Sequence, residues 1–233
     1  MRKVIGIGET VLDIIFKDGK PVEAVPGGST FNAIVSLGRA GVSTTFISEV
    51  GADRVGSHII DFLRENGVDT GCISVMPGGK SPLSLAFLNE RNEADYTFYR
   101  DPSQEHPDFV LPEISAYDIV VFGSFYALNP LLHRQVAALM EHARSCGAII
   151  YYDVNFRPAH RNDVMKITPN LIDNLEYADI VRGSHEDFME LYRKDDADRV
   201  YRADISFYCK RLVYTNGAQS VTVFGDGGFR KEY

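Results

Sequence analysis

Residues 26–56 read PGGSTFNAIVSLGRAGVSTTFISEVGADRVG, and this stretch decides how the rest of the chain is interpreted. Gly27 and Gly28 precede apolar residues that recur at helical spacing, and Ser29 or Thr30 is expected to cap that helix. Adjacent glycines before a helix N-terminus allow a ligand to approach the backbone closely, and the N–H groups there favour polar or anionic groups. The stretch therefore predicts a ligand-binding loop followed by a buried helix.

Asn32 lies in the first turn of this predicted helix, where its amide can donate to or accept from the same ligand. A glycine pair before a helix also fits an ordinary loop that enters a buried helix, and the glycines alone favour that interpretation. No Gly-Lys-Ser or Gly-Lys-Thr follows the glycines, so the stretch is not a phosphate-binding P-loop.

The composition excludes several classes of protein. The chain has 233 residues, of which 45% are hydrophobic and 24% are charged, as is usual for a globular protein. A net charge of −8 argues against nucleic acid as the main partner, because phosphate binding needs clustered Lys and Arg. Three cysteines without metal-ligand spacing indicate reduced thiols in the cytoplasm. From the residues of MRKVIGIGE we expect neither a signal peptide nor a membrane span.

Short apolar runs alternate with amphipathic segments along most of the chain. Runs at 4–8, 118–122, 148–152 and 212–215 predict buried strands, and a helix is expected to begin at Thr168. Strands that alternate with helices of about ten to fifteen residues predict an α/β fold with a mainly parallel sheet, covered by helices on both faces.

Two pairs of short strands do not fit this alternation. Residues 14–16 and 22–25 flank one turn, and residues 83–88 and 96–100 flank another, so each pair predicts an antiparallel hairpin. Asp13 precedes the first hairpin and is expected at the carboxyl end of the first strand, where open α/β sheets bind ligands. The alternative is an ordinary turn aspartate.

Polar residues follow two later predicted strands. Asp153-Val-Asn155-Phe-Arg157 places three polar side chains on one side of an extended segment, and arginine can bind a carboxylate or phosphate bidentately. Ser184-His-Glu-Asp187 begins a helix and predicts a capping box with Asp in place of Glu.

The glycine pair, Asn32, Gly38, Gly41 and the segment Gly51-Ala-Asp-Arg-Val-Gly56 together resemble the N-terminal signature of the ribokinase-like (PfkB-type) sugar kinases. The D-x-N-x-R segment at 153–157 matches the same family. The resemblance implies a ribokinase-like three-layer α/β/α fold with a mainly parallel central sheet and a small β-sheet lid.

The resemblance also implies a domain plan and an activity. Residues 1–233 would form one kinase domain, with lid insertions near 13–25 and 82–101. The activity would be transfer of the γ-phosphoryl group from ATP to a sugar hydroxyl, with Mg²⁺ as a further cofactor. An apolar lid face could pair with the lid of a second copy, so the resemblance also suggests a homodimer.

Roles for individual residues follow from the resemblance as well. The residues expected at the substrate are Asp13, Gly27, Gly28, Asn32, Arg100 and Arg157. The residues expected at the phosphates or nucleotide are Asp153, Asn155, Ser184, Thr215 and Gly217. Glu186 and Asp187 are candidate metal ligands. A solvated strand end is the alternative for Arg100, and the capping box is the alternative for Asp187.

One family element does not occur in this sequence. It is Gly-Ala-Gly-Asp, which supplies a general base and an anion-binding helix N-terminus. Phosphoryl transfer depends on positioning and electrostatic stabilisation, so a chain without both should lose most of its rate. We therefore expect the chain to be incomplete at its C-terminal end, with its catalytic aspartate beyond Tyr233, and to be inactive as it stands.

The Gly-Glu-x-x-x-Asp opening, Arg100 and Arg157 favour a fructokinase-like member. A 2-keto-3-deoxygluconate kinase is the alternative, because that branch also uses two arginines on its substrate. A protein of another class, a catalytically silent truncated sugar-binding protein, also remains open. A nucleotide-binding oxidoreductase is disfavoured, because no G-x-G-x-x-G turn follows the first strand.

Overall fold

The computed structural model describes residues 2–90, 94–100 and 106–233. The chain divides into two compact units, Lys3–Pro112 and Glu113–Tyr233. Each unit carries mainly parallel strands with helices packed on them, and the first unit also carries a smaller separate sheet. The expectation of one kinase domain over the whole chain stays a prediction.

The first unit contains both kinds of sheet. Its elements in chain order are β1 (Val4–Ile7), β2 (Val11–Lys17), β3 (Lys20–Gly27), α1 (Ser29–Arg39), β4 (Thr44–Gly51), α2 (Arg54–Glu65), β5 (Val68–Asp69), β6 (Ile73–Met76), β7 (Leu83–Leu88) and β8 (Ala94–Tyr99). Strand β4 pairs in parallel with β1, β5 and β6. Nearly all of β4 is buried, as expected for a parallel strand that is covered on both faces.

The small sheet has the strand order β3-β2-β7-β8. Both predicted hairpins are present: β2 pairs antiparallel with β3, and β7 pairs antiparallel with β8. Asp18 and Gly19 close the first hairpin with φ values of 51° and 71°, which a type I′ turn requires. A parallel pairing of β2 with β7 joins the two hairpins. The sequence did not predict this pairing, because hairpin signals report only local antiparallel contacts.

Asp13 lies inside β2 of the small sheet. The prediction that it ends the first strand was wrong, because β1 stops at Ile7 and a new strand begins at Val11. The apolar residues on both sides of this break belong to two different sheets. Asp13 therefore lies in the predicted lid itself.

Helix α1 begins at Ser29 with Gly28 at its N-cap, and no side chain caps it. The prediction of a Ser29 or Thr30 cap was wrong, because Gly28 occupies this position with a φ of 137°. Residues with a Cβ rarely adopt that conformation, and a Cβ on Gly28 would overlap the carbonyl oxygen of Glu9. Glycine is thus required here by the backbone.

The second unit is a parallel sheet extended by two antiparallel strands. Its elements are β9 (Ile119–Gly123), α3 (Ser124–Leu128), α4 (His133–Ser145), β10 (Ile149–Asp153), a 3₁₀ helix (Pro158–Asp163), α5 (Val164–Tyr177), β11 (Ile180–Ser184), α6 (His185–Tyr192), α7 (Ala197–Val200), a π-helical turn (Tyr201–Ile205), β12 (Leu212–Asn216), β13 (Ser220–Phe224) and β14 (Arg230–Glu232). Strands β9 to β12 are parallel in chain order, and β13 and β14 follow in antiparallel pairing.

Helix α5 begins at Val164, earlier than the predicted start at Thr168. Pro169 lies inside this helix, although proline usually marks a helix start. The hydroxyl of Thr168 donates to the carbonyl of Val164 at 2.7 Å, so it bonds within the helix and does not cap it. Among the described residues, no helix is long and apolar enough to cross a membrane.

Candidate functional site

A cavity of about 240 Å³ in the first unit brings three predicted substrate residues together. Asp13, Gly27 and Asn32 line it, along with apolar and aromatic side chains of the small sheet. Those side chains are Ile15, Val25, Pro26, Ala86, Leu88, Ala94 and Tyr96. Pockets for drug-sized ligands measure roughly 300–1,000 Å³, so this cavity suits a smaller molecule.

A larger, open hollow of about 730 Å³ lies at the start of α2 in the same unit. Asp53, Arg54, His58 and Asp61 are among its lining residues, and none of the predicted site residues lines it. We favour the smaller cavity as the ligand site, because polar groups and an apolar wall converge there.

Asp53 lies at the N-cap of α2, near the end of the 26–56 stretch. Its carboxylate accepts hydrogen bonds from the N–H of Gly56 at 2.8 Å and from the N–H of Ser81 at 2.9 Å. Burial acts against the charged form, but these hydrogen bonds outweigh it and lower the pKa of Asp53. Asp53 therefore caps α2 and ties it to the residues that lead into β7.

Asp13 is held by its neighbours on both sides. Its Oδ1 accepts a hydrogen bond from the hydroxyl of Ser84, which lies opposite Asp13 on β7 and is fully buried. Its Oδ2 lies so close to Gly27 that a Cβ on that glycine would be 2.6 Å away. Burial raises the pKa of Asp13 above its usual range, and the Ser84 hydrogen bond lowers it in part.

Asn32 is exposed in the first turn of α1 and lines the cavity. Its backbone N–H donates to the carbonyl of Gly28 at 3.0 Å, as expected for Gly28 at the N-cap of α1. Gly28 is not one of the residues that line the cavity. The glycine pair thus has two separate structural roles: Gly27 makes room for the Asp13 carboxylate, and Gly28 sets the start of the helix.

Arg100 follows β8 and is paired within the first unit. Its guanidinium lies 2.5 Å from the Glu9 carboxylate and 5.5 Å from the centre of the Phe98 ring. Arg100 is not one of the residues that line the cavity. Its substrate role therefore stays a prediction, and Glu9 is a partner that the sequence did not indicate.

His106 forms another ion pair in this unit, with Glu49 on β4. The hydrogen bond to Glu49 raises the pKa of His106, although burial and the charge of Arg100 lower it in part. Sequence reasoning missed both residues, because a lone histidine and a lone glutamate form no motif.

In the second unit, Arg182 links the carboxyl ends of three adjacent parallel strands. From β11 it donates to Asp153 Oδ1 on β10 at 3.0 Å and to Thr215 Oγ1 on β12 at 3.1 Å. Burial raises the pKa of Asp153, and the charge of Arg182 lowers it in part. The sequence analysis did not single out Arg182, although a charged residue inside an otherwise apolar strand could have indicated it. Gly217 lies two residues beyond Thr215, in the open turn after β12.

Ser184 and Asp187 form the predicted capping box at the start of α6. The carboxylate of Asp187 accepts from the N–H of Ser184 at 2.6 Å and from the N–H of Phe156 at 2.7 Å. Both of its oxygens are therefore engaged by backbone donors, whereas Glu186 beside it is exposed. Among the described residues, no three or more His, Cys, Asp or Glu side chains are grouped to hold a metal. The metal role of Glu186 and Asp187 stays a prediction.

Asn155 has a φ of 35°, so residues 153–157 are not the extended segment that the sequence predicted. Asn tolerates this left-handed region better than most residues, and the Asp187 contact to Phe156 holds the turn. The alternation itself is present, because Val154 and Phe156 are buried between the polar residues. Arg157 is exposed, and its charge acts on Asp153.

A protein family matches almost the whole chain, and its match agrees with the fold described above. Residues 1–232 match the pfkB family carbohydrate kinase description. The chain belongs to the pfkB family of carbohydrate kinases. This finding confirms the family that the glycine pair, Asn32 and the 153–157 segment indicated.

Known proteins similar to this pfkB family member include two curated relatives and one solved structure. Probable chloroplastic fructokinase-6 of Arabidopsis thaliana is 26% identical over 229 residues, which covers 93% of this chain and 60% of the relative. A 5-dehydro-2-deoxygluconokinase of Geobacillus thermodenitrificans is 28% identical over 207 residues, which covers 82% of this chain and 59% of the relative. The crystal structure of Vibrio cholerae fructokinase with fructose, ADP and calcium has a TM-score of 0.85 at 21% identity, covering 99% of this chain and 75% of that one.

This pfkB family chain spans about three fifths of the length of the two curated relatives. The structural match confirms the ribokinase-like fold, with a mainly parallel sheet, helices and a smaller separate sheet. At 21% identity, this structural match supports a conclusion about the fold alone.

Proposed function

We propose that this pfkB family member is a fructokinase-like sugar kinase, which transfers the γ-phosphoryl group of ATP to a hydroxyl of the sugar. The observation that carries this proposal is the convergence of Asp13, Gly27 and Asn32 on one small cavity beneath an apolar wall. A carboxylate and an amide can together accept from and donate to several hydroxyls, and the apolar wall suits the C–H face of a sugar ring.

The residues of the first unit would bind and orient the sugar. Hydrogen bonds from sugar hydroxyls to the Asp13 carboxylate are charge-assisted and therefore among the stronger ones. Tyr96, on β8 of the small sheet, belongs to the wall that would keep water from the bound sugar. Exclusion of water favours transfer to the alcohol over hydrolysis.

The predicted nucleotide residues of the second unit would act at the phosphates of ATP. Asp153 and Thr215 are held in place by Arg182, and Ser184 begins α6, where helix N–H groups favour anions. We propose that Asn155 and Gly217 contribute at the same phosphates, since the turns in which they lie bring backbone to the surface.

Mg²⁺ takes oxygen ligands and usually keeps several waters beside one or two carboxylates. Glu186 fits this requirement because it is an exposed acid in the first turn of α6, whereas Asp187 would first have to release two backbone donors. When bound, the ion neutralises phosphate charge. We therefore propose Glu186 as the metal-side residue.

A 2-keto-3-deoxygluconate kinase is the alternative, and the similarity to a 5-dehydro-2-deoxygluconokinase supports it. A sugar acid needs a cation for its carboxylate, but the lining of the cavity contains neither Lys nor Arg among the described residues. Arg100 is paired with Glu9, which leaves Arg157 as the candidate for such a carboxylate. Fructose is therefore the favoured substrate.

We also propose that the protein is a cytoplasmic homodimer that pairs through its small sheet. The support is a set of exposed aromatic side chains on that sheet, with Phe87 42% exposed and Tyr99 56% exposed. Analytical ultracentrifugation of wild type and Tyr99→Ser tests this, and a wild-type monomer at high concentration would contradict it.

The substrate is tested by calorimetric titration of the 233-residue chain with fructose and with 2-keto-3-deoxygluconate. Binding is measured because the chain spans about three fifths of the curated relatives. We expect fructose to bind more tightly and Arg157→Lys to leave its affinity unchanged. Preference for the keto acid, with affinity lost in Arg157→Lys, would establish the alternative, since lysine cannot form a bidentate contact.

Sequencing of the source DNA beyond the codon for Tyr233 separates the kinase from a silent sugar-binding protein. An in-frame continuation into a Gly-Ala-Gly-Asp segment would exclude the silent protein, and its absence would favour it. If neither fructose nor 2-keto-3-deoxygluconate bound to the chain, the proposed function itself would be overturned.

A further inference from the structure

We propose that Ser84 and Gly27 are positioning residues that hold the Asp13 carboxylate between them and thereby set its affinity for the sugar hydroxyls. The role in sugar binding rests on the proposed function, whereas the contact itself does not. Neither residue has to touch the sugar for this role.

The Ser84 side of the contact comes from the pairing of two hairpins. The parallel register of β2 and β7 places Ser84 directly opposite Asp13, and its hydroxyl donates to Asp13 Oδ1. Ser84 has no exposed surface. A buried hydroxyl is costly without a partner, so its place here is explained by the carboxylate that it bonds.

The Gly27 side is a matter of space. Gly28 needs its glycine because its φ is 137°, whereas Gly27 belongs to the extended strand β3. What a side chain at Gly27 would meet is the Asp13 carboxylate, with Oδ2 only 2.6 Å from the position of a Cβ. Gly27 therefore leaves room for one particular orientation of Asp13.

The two contacts together restrict the rotation of the Asp13 side chain before any ligand arrives. A side chain that is already ordered loses less entropy on binding, which increases affinity without a new contact to the ligand. The hydrogen bond from Ser84 also favours the charged form of Asp13, against the burial that raises its pKa. Loss of Ser84 should therefore loosen the carboxylate and raise its pKa further.

The variants that test this are Ser84→Ala and Gly27→Ala, each with a matched control. Ser48→Ala removes another buried hydroxyl, which donates to the carbonyl of Gly8 at 2.7 Å and not to Asp13. Gly225→Ala adds a methyl group at an extended glycine where it would meet only ordinary contacts with Phe229. Both controls carry a comparable change in packing away from the carboxylate.

Fructose affinity is measured by calorimetry from about pH 4 to pH 8, across the range in which carboxylates titrate. For Ser84→Ala we expect affinity about tenfold weaker at neutral pH, because the loosened Asp13 side chain would have to be ordered when the sugar binds. The loss of binding on acidification should also begin at a higher pH than in wild type. Ser84→Cys, a weak donor of similar size, should restore part of the affinity. Ser48→Ala should change neither quantity.

Carbon-13 NMR of the Asp13 carboxyl group without sugar provides a readout that does not depend on function. Its titration midpoint should move to higher pH in Ser84→Ala and stay in place in Ser48→Ala. An unchanged midpoint in Ser84→Ala would overturn the proposal. If wild type binds no fructose, the proposed function fails. The NMR titration still tests whether the Ser84 hydroxyl bonds the Asp13 carboxylate. If Gly27→Ala does not fold, Ser84→Ala carries the test.

Discussion

Asp13 in the first unit and Asp153 in the second are both aspartates whose pKa is raised by burial. Their partners differ: Asp13 accepts from the neutral hydroxyl of Ser84, whereas Asp153 accepts from the guanidinium of Arg182. A carboxylate with a neutral donor keeps its charge for a ligand, while one paired with arginine is largely neutralised. The charge of the neighbour, and not burial, therefore distinguishes the carboxylate that we propose for sugar binding from the Asp153 carboxylate.

Glycines show the same difference between the two units. A Cβ on Gly27 would meet the side chain of Asp13, and a Cβ on Gly123 would overlap the backbone carbonyl of Asp153. In the first unit the glycine leaves room for a functional group, while in the second it allows two strands to lie close together. The same residue type thus makes room for a side chain in one place and for a neighbouring strand in the other.

The largest expected effect is that of Asp13→Ala, which removes the carboxylate that we propose for sugar binding. Two lost hydrogen bonds to a charged group predict roughly 100-fold weaker fructose binding in calorimetry. Asp13→Asn keeps the shape and removes the charge, and we expect it to lie between wild type and Asp13→Ala. Affinity within about twofold of wild type in both variants would exclude Asp13 from the sugar site. The contrast drawn above between Asp13 and Asp153 would then not hold.

A smaller effect is expected for Arg182→Met, which leaves Asp153 without its cation. The unpaired carboxylate should lower the free energy of unfolding by about 2 kcal/mol at neutral pH, as measured by urea denaturation. The folded-state pKa of Asp153 is already raised and should rise further, so the loss should shrink in acid, where Asp153 binds a proton.

Arg211→Met is the matched control for Arg182→Met, because Arg211 pairs with Asp226 in an exposed ion pair. Arg211→Met should lower the free energy of unfolding by less than about 1 kcal/mol, and this loss should not shrink in acid. Equal losses in the two variants would mean that the Asp153 pair is no more than a surface contact.

The smallest effect concerns His106, whose pKa is raised by Glu49. A histidine with a raised folded-state pKa stabilises the protein fully below its unfolded pKa, and this stability is lost as pH rises through the folded value. We expect unfolding free energy to fall by about 1 kcal/mol or less between about pH 6 and pH 9, and His106→Gln to remove that dependence. His58→Gln changes an exposed histidine and should leave the dependence intact. The same pH slope in His106→Gln as in wild type would exclude this ion pair as its source.

Local patterns in the sequence predicted most elements near the site. Turn residues such as Asp18-Gly19 marked both hairpins, and Ser184 with Asp187 marked the start of α6. The sequence predictions were wrong where contacts between residues distant in the chain overrode a local preference. Gly28 replaced a serine or threonine cap because the backbone near Glu9 leaves no room for a Cβ, and Asp187 holds the turn at Asn155 from a later helix.

The sequence by itself determined the family, the order of most strands and helices, and three residues that line the cavity, Asp13, Gly27 and Asn32, because periodicity, turns and motifs depend on residues close together in the chain. Only the tertiary structure decided what each carboxylate contacts. Ser84 lies 71 residues from Asp13, and Arg182 lies 29 residues from Asp153. These pairs meet through the register of strands that are distant in the chain, and a register is set by the packing of the whole sheet.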